Sequence, residues 1–164
     1  MVSMIGLVVI GIRLLTPEDP PVLLLKEEDG TRSLPIWIGN QEAAAIASAL
    51  EDEVPARPMT HDLLAAVLTM VEPGVGLVVI SAMEEGVYQA ELHAGGSIID
   101  ARPSDCVAIA LRLGWPIQCP RELMDQVGVE VEEASTDEVE AFRAFLDSVS
   151  ADDFEDDNPS SEED

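Results

Sequence analysis

Positive charge is what this sequence most lacks. Seven arginines and one lysine, Lys26, face 33 acidic residues, for a formal net charge of −25. Nucleic-acid surfaces ordinarily bind by setting basic side chains against phosphates and releasing counterions, so this balance excludes a broad basic face and disfavours RNA or DNA partners. Cysteine is scarce too. Cys106 and Cys119 form neither a CxxC pair nor a zinc pattern, and two cysteines make no disulfide framework, which points to a reducing, cytoplasmic setting. The one long apolar run, residues 1–12, has no basic leader and no small-residue cleavage site, and it meets Arg13 too early to span a bilayer. It reads as a buried strand, with no membrane partner expected.

What is present suffices for one folded domain. The chain has 164 residues, 47 % of them hydrophobic, enough to bury a substantial core. The acidity is uneven: residues 120–164 hold 17 acids against Arg121 and Arg143, whereas residues 1–119 hold 16 acids and six bases. The expected organisation is a domain over 1–130, a C-terminal amphipathic helix over 131–150 and a disordered acidic tail over 151–164. That helix is read from Val139, Phe142, Phe145, Leu146 and Val149 at three-to-four spacing. The tail has eight acids, no bases and little apolar content.

Punctuation divides the body into elements. Residues 2–15 read as a strand bent at Gly11, followed by a proline-rich loop over 16–21. Strands over 22–25 and 33–38 flank Glu28-Asp29-Gly30, where Asp-Gly marks a hairpin. An alanine-rich helix is expected over 40–51, and a second over 60–71 with Leu63, Leu64, Val67 and Leu68 on one side. Strands over 77–83, 87–93 and 97–101 then form a meander broken by Glu84-Glu85-Gly86 and Gly95-Gly96, before a helix over 104–113. Pro116 and Pro120 confine the next stretch to a short extended piece, and 121–127 makes a helical turn or two. A slide of 63 positions aligns Ile36, Glu42, Ala45, Ile46, Ala47 and Leu50 with Ile99, Asp105, Ala108, Ile109, Ala110 and Leu113. The fold class read from this is α+β, a mixed β-sheet with packed helices built from a duplicated unit of three strands and a helix.

Two stretches repeat one phrase. Arg57-Pro58-Met59-Thr60-His61-Asp62 and Arg102-Pro103-Ser104-Asp105 each place an arginine, a proline, a hydroxyl and an acid at the opening of a helix. The first N–H groups of a helix lack intrahelical partners and its dipole is positive there, so such a mouth attracts anions. Phosphate chemistry follows as a possibility.

Four blocks, Leu34-Pro-Ile-Trp-Ile-Gly39, Glu42-Ala43 with Ala45-Ile46, Arg57-Pro58 with Thr60-His61-Asp62-Leu63, and Asp100-Ala-Arg-Pro-Ser-Asp105 with Ala108-Ile109-Ala110-Leu111-Arg112, closely resemble the bifunctional nuclease family in order and spacing. The resemblance covers roughly residues 5–130. It implies an α+β domain with a mixed sheet, a homodimer, and an activity ascribed to plant relatives against both RNA and DNA. The sequence departs from the family pattern at Gly86-Val87-Tyr88-Gln89-Ala90, which replaces a run with two adjacent aromatics, and at Cys106. Loss of one aromatic weakens a base-stacking role on that strand.

Each candidate residue carries two readings. Glu42, Asp62 and Asp105 hold a magnesium or manganese ion that activates water, or they are first-turn acids satisfying helix dipoles. Arg57 and Arg102 fork onto phosphate oxygens, or each pairs with the acid a few residues on. His61 is a general base beside a positive helix end, or a hydrogen-bonded structural histidine. Thr60 and Ser104 are N-caps first and substrate contacts second. Trp37 alternates with Ile36 and Ile38 and so faces the other way, where a dimer seam is expected to take it, whereas Trp115 belongs to the core. The leading expectation is a dimeric, metal-assisted nuclease hydrolysing RNA or single-stranded DNA. In it Arg57, Arg102, Thr60 and Ser104 bind substrate, and His61, Asp62 and Asp105 are catalytic. The alternative is a non-catalytic dimeric module that binds an anionic ligand or a protein partner.

Overall fold

The computed structural model describes residues 2–71 and 74–131; the expected C-terminal helix and acidic tail lie outside the described residues. Twelve elements follow one another: β1 (Met4–Arg13), β2 (Val22–Glu27), β3 (Arg32–Trp37), α1 (Asn40–Leu50), α2 (Thr60–Val71), β4 (Leu77–Glu84), β5 (Val87–Ala94), β6 (Ser97–Ala101), α3 (Pro103–Leu113), β7 (Ile117–Pro120), α4 (Arg121–Val127) and β8 (Val129–Glu130). The strands form one mixed sheet in the order β6-β5-β4-β7-β1-β2-β3-β8. The α+β class expected from the sequence is therefore the observed one.

The sheet has two similar wings. In each, three consecutive strands pair antiparallel and a helix follows, as the 63-residue offset suggested. The first strand of each wing carries an irregularity at a matching place, between Val9 and Gly11 in β1 and between Ile80 and Ala82 in β4. An extra residue of this kind increases local twist and bends the strand. The second wing closes with two-residue turns, where Glu85 and Gly86 (φ 51° and 80°) and Gly95 and Gly96 (59° and 82°) all lie in the left-handed region. Such turns match the right-handed twist of the strands they join.

Between the wings stands β7, expected only as an extended piece between two prolines. It pairs antiparallel with β1 and parallel with β4, so four residues join the two halves into one sheet. Its Ile117 and Cys119 are buried, and the neighbouring Trp115 is buried as expected. Gly76 makes room for that ring, because a Cβ there would collide with Trp115 and with the His93 carbonyl. Burial pushes the thiols of Cys106 and Cys119 up to about 12 and about 11, so both behave as small hydrophobes.

Helices α1 and α3 pack on each other, α2 packs on α3, and α3 rests on β4 and β5. Leu23, Leu25, Leu34, Ile46, Val78 and Ile80 are fully enclosed in the core. The second helix has the expected bounds and turns most of its apolar side outward. It buries Ala65 and Leu68, while Leu63, Leu64 and Val67 are exposed, because α2 meets the body through α3 alone among the regular elements it contacts closely. Truncation of Ile46, where α1 enters the core, removes three carbons of packing that its neighbours cannot replace. Ile46→Ala should lower stability by about 2–5 kcal/mol, read as a lower urea midpoint at unchanged slope.

Candidate active site

Three helices begin at one place, and each carries an acid at the third helical position. The first intrahelical bonds run from Ala43 to the Gly39 carbonyl (2.9 Å), from Leu63 to Met59 (2.8 Å) and from Cys106 to Arg102 (3.1 Å). Gly39, Met59 and Arg102 thus occupy the cap positions, and Glu42, Asp62 and Asp105 are equivalent. Thr60 and Ser104 lie one and two residues inside their helices instead of capping them. At α2 the capping acceptor is Asp62, whose Oδ2 takes the Met59 N–H at 2.9 Å. Pro103 opens α3, where its missing N–H leaves no donor unsatisfied and its ring sets the helical φ.

Asp105 is the junction. Its Oδ1 lies 2.8 Å from His61 Nε2 on α2, and its Oδ2 accepts from Arg102 Nε at 2.8 Å. The same guanidinium reaches α1 through Nη2 to Glu42 Oε1 at 2.9 Å. Burial opposes ionisation of Asp105, yet the hydrogen bonds from Arg102 and His61 prevail and hold its carboxyl below the usual carboxylate range. An ionised Asp105 can only accept, so His61 donates to it through Nε2–H, and in the neutral imidazole the lone pair then lies on Nδ1. That is the tautomer a proton acceptor needs.

The partner of Asp62 is a residue to which the sequence reading gave no role. Arg112 Nε donates to Asp62 Oδ1 at 2.7 Å, while Nη1 and Nη2 donate to the carbonyls of Ala108 (2.8 Å) and Ala45 (3.1 Å). One guanidinium thereby ties α1, α2 and α3. The spacing Asp105, Ala108, Arg112 on one helical face was the available clue. Arg57, the expected partner, is exposed and makes no hydrogen bond or ion pair among the described residues. The two Arg-Pro turns therefore open helices that meet, but only the second arginine joins the network.

Glu42, Asp62 and Asp105 do not fit a magnesium or manganese ion as they stand. Glu42 and Asp105 share Arg102 and Asp62 turns to Arg112, so guanidinium groups occupy the directions an ion would need. Among the described residues no group of three His, Cys, Asp or Glu side chains is placed to hold a metal ion. What remains is an arginine with an exposed side chain (65 %) beside a histidine oriented by a carboxylate. Arg102 also borders a cleft of about 760 Å³ that includes Pro35 to Gly39, Met83, Gly86 to Tyr88, Pro103 and Ser104.

The hydrogen bond from Arg112 and that from the Met59 N–H hold the Asp62 carboxyl below its ordinary value. A carboxylate depressed in the folded state contributes stability above its unfolded pKa and loses it as pH falls through the folded value. Wild-type stability should therefore decline below about pH 5. Arg112→Ala should cost about 1.5–3 kcal/mol at neutral pH and flatten that acid slope, measured by urea unfolding across a pH series.

Comparison with known proteins identifies the family. The sequence model of the Bifunctional nuclease domain matches residues 23–132. An uncharacterized protein of Mycobacterium tuberculosis (strain H37Rv), Rv1829, is 47 % identical over 156 residues, covering 89 % of this chain and 95 % of the relative. Bifunctional nuclease 2 of Oryza sativa subsp. japonica is 30 % identical over 117 residues, 66 % of this chain but 36 % of the rice protein. Among the described residues no helix is long and apolar enough to cross a membrane. The matched span runs from β2 past β8 and so contains every residue of the three-helix network: the chain belongs to the bifunctional nuclease domain family.

Proposed function

We propose that this chain is a nuclease of the bifunctional type, hydrolysing phosphodiester bonds of RNA or single-stranded DNA where α1, α2 and α3 begin. One observation carries the reading: Asp105 holds His61 on one oxygen and Arg102 on the other. A proton acceptor and a phosphate-binding fork thus stand one carboxylate apart. Arg102 supplies charge to a phosphodiester, and its exposed side chain leaves the guanidinium edge not used by Glu42 and Asp105 for the ligand. His61 takes the proton of the attacking water at Nδ1, and Asp105 stabilises the imidazolium that results. That proton then passes to the leaving oxygen. Ser104 adds a hydroxyl at the cleft wall. Asp62 acts through Arg112, and Thr60 and Arg57 have no assigned contact. No step in this scheme passes through a metal ion.

The homodimer belongs to the same proposal, and the apolar side of α2 is its interface. Met59, Leu63, Leu64, Val67, Met70 and Val71 are all exposed. From Met59 to Val71 the one charged side chain is Asp62, already paired with Arg112. Two copies that each carry −25 repel except where they meet through such a neutral surface. Light scattering should give a dimer for the wild type and a folded monomer for Leu63→Glu.

The nuclease reading is tested with protein purified to homogeneity. Arg102→Ala should lower kcat/KM on a single-stranded substrate by about 10²-fold or more, and His61→Ala by about 10²–10⁴-fold. Equal residual cleavage by wild type, Asp62→Asn and Arg102→Ala would assign the activity to a contaminant. A thermal shift with nucleotides and no turnover would favour the non-catalytic binding module instead.

A further inference from the structure

The cleft beside Arg102 has the features of a second site, whose walls the hydrolytic scheme leaves largely unused. Both wings of the sheet line it: Ile36 and Trp37 come from β3, and Val87 and Tyr88 from β5, with Arg102 and Ser104 at the mouth of α3. Its volume of about 760 Å³ lies within the range of small-ligand pockets. Trp37 is 58 % exposed although its neighbours Ile36 and Ile38 are buried, so a large aromatic ring faces solvent at a cleft wall instead of completing the core. Tyr88 is half-buried against the core.

The polar groups of this cleft are unmatched within the protein. Ser104 is only 6 % exposed, yet its hydroxyl has no hydrogen-bond partner among the described residues. The Tyr88 hydroxyl and the Trp37 indole N–H are likewise without one. Polar groups that open onto the cleft beside two aromatic rings and one arginine suit a planar, hydrogen-bonding, anionic occupant.

We propose that this cleft is a base subsite: it takes one unpaired nucleobase against Trp37 and Tyr88 while the adjoining phosphate rests on Arg102. Every base has a π-face, so stacking tolerates sequence, and the Ser104 hydroxyl meets the base edge. A base inside a duplex is stacked and paired on both sides and cannot enter, so the subsite selects single-stranded over double-stranded substrate. This inference rests on the nuclease reading for its phosphate, but its own weight is in binding, which can be measured without turnover.

The test uses full-length protein, a short fluorescent single-stranded oligodeoxynucleotide, the same oligonucleotide with abasic positions, and its duplex, in low salt. Wild type should bind the intact single strand more tightly than the abasic strand or the duplex. Trp37→Ala should weaken intact-strand binding between about five- and 150-fold and leave abasic binding unchanged, whereas Trp37→Phe should restore most of the loss. Arg102→Ala should weaken both strands. Equal affinity of wild type and Trp37→Ala, equal affinity for intact and abasic strands, or no binding by wild type would overturn the base subsite. Loss of binding in Trp37→Ala with no cleavage by any form would keep the subsite and remove the nuclease. Cleavage that depends on Arg102 but not on Trp37 would do the reverse.

Discussion

The carboxylate of Asp105 is the contact on which the geometry depends. Three helix N-termini converge at this point, and each brings a positive dipole end and unsatisfied N–H groups. Left bare, they would repel. An acid at the third position of each helix offsets that field, and the resulting cluster of three carboxylates then requires cations of its own. Arg102 and Arg112 meet that requirement from the two ends of α3. The order of causes runs from helix geometry to acids to arginines, so the site's chemistry is a consequence of how the domain is assembled.

The sheet decides where this junction sits. Because β7 pairs with the first strand of both wings, their far edges are free to curve, and the irregularities in β1 and β4 add twist in each. The end of β3 and the β4–β5 turn consequently border the same cleft, although they lie on opposite wings. Glu42 and Trp37 come from the first wing, Tyr88, Arg102 and Asp105 from the second, and His61 and Asp62 from the helix between them. Neither wing holds a complete site, which gives a physical reason for the two to remain in one chain.

Much of this was legible in the residues themselves. Gly-containing turns at Glu85-Gly86 and Gly95-Gly96, the α+β class, the buried Trp115, the alternation around Trp37 and the acids of the first helical turns are local properties, set within a few positions of chain. The partner of Asp62 is not local. Arg57 is five residues away and Arg112 fifty, yet Arg112 prevails because its side chain runs back along α3 to the Ala108 carbonyl, as helical side chains tilt toward the N-terminus. The capping roles of Thr60 and Ser104 failed for a related reason: Met59 and Arg102 begin their helices one and two residues earlier, and hydroxyl composition does not reveal that shift. The central place of β7 depends on pairings with strands far away in sequence, which two flanking prolines could not disclose. The exposure of the apolar side of α2 was not legible, because apolar periodicity reports which residues share a face, not whether that face meets the core or another molecule.

If the proposed nuclease reading holds, so acidic a protein must bind its polyanion by something other than phosphate count. Counterion release grows with the number of phosphates neutralised, and one exposed arginine in the network offers little of it. Beyond a Debye length of about 8 Å at physiological ionic strength, most of the surface carboxylates are screened from the ligand. Close to Arg102 the balance is set by the cluster itself, where Glu42, Asp62 and Asp105 are each matched to a cation or a donor. Affinity in such a site has to come from stacking and hydrogen bonds to a base, with the phosphate placed by a single fork. On that proposal the scarcity of positive charge acts as a filter, since a duplex offers this chain no base to grasp and few phosphate contacts, whereas one unpaired nucleotide offers both a base and a phosphate.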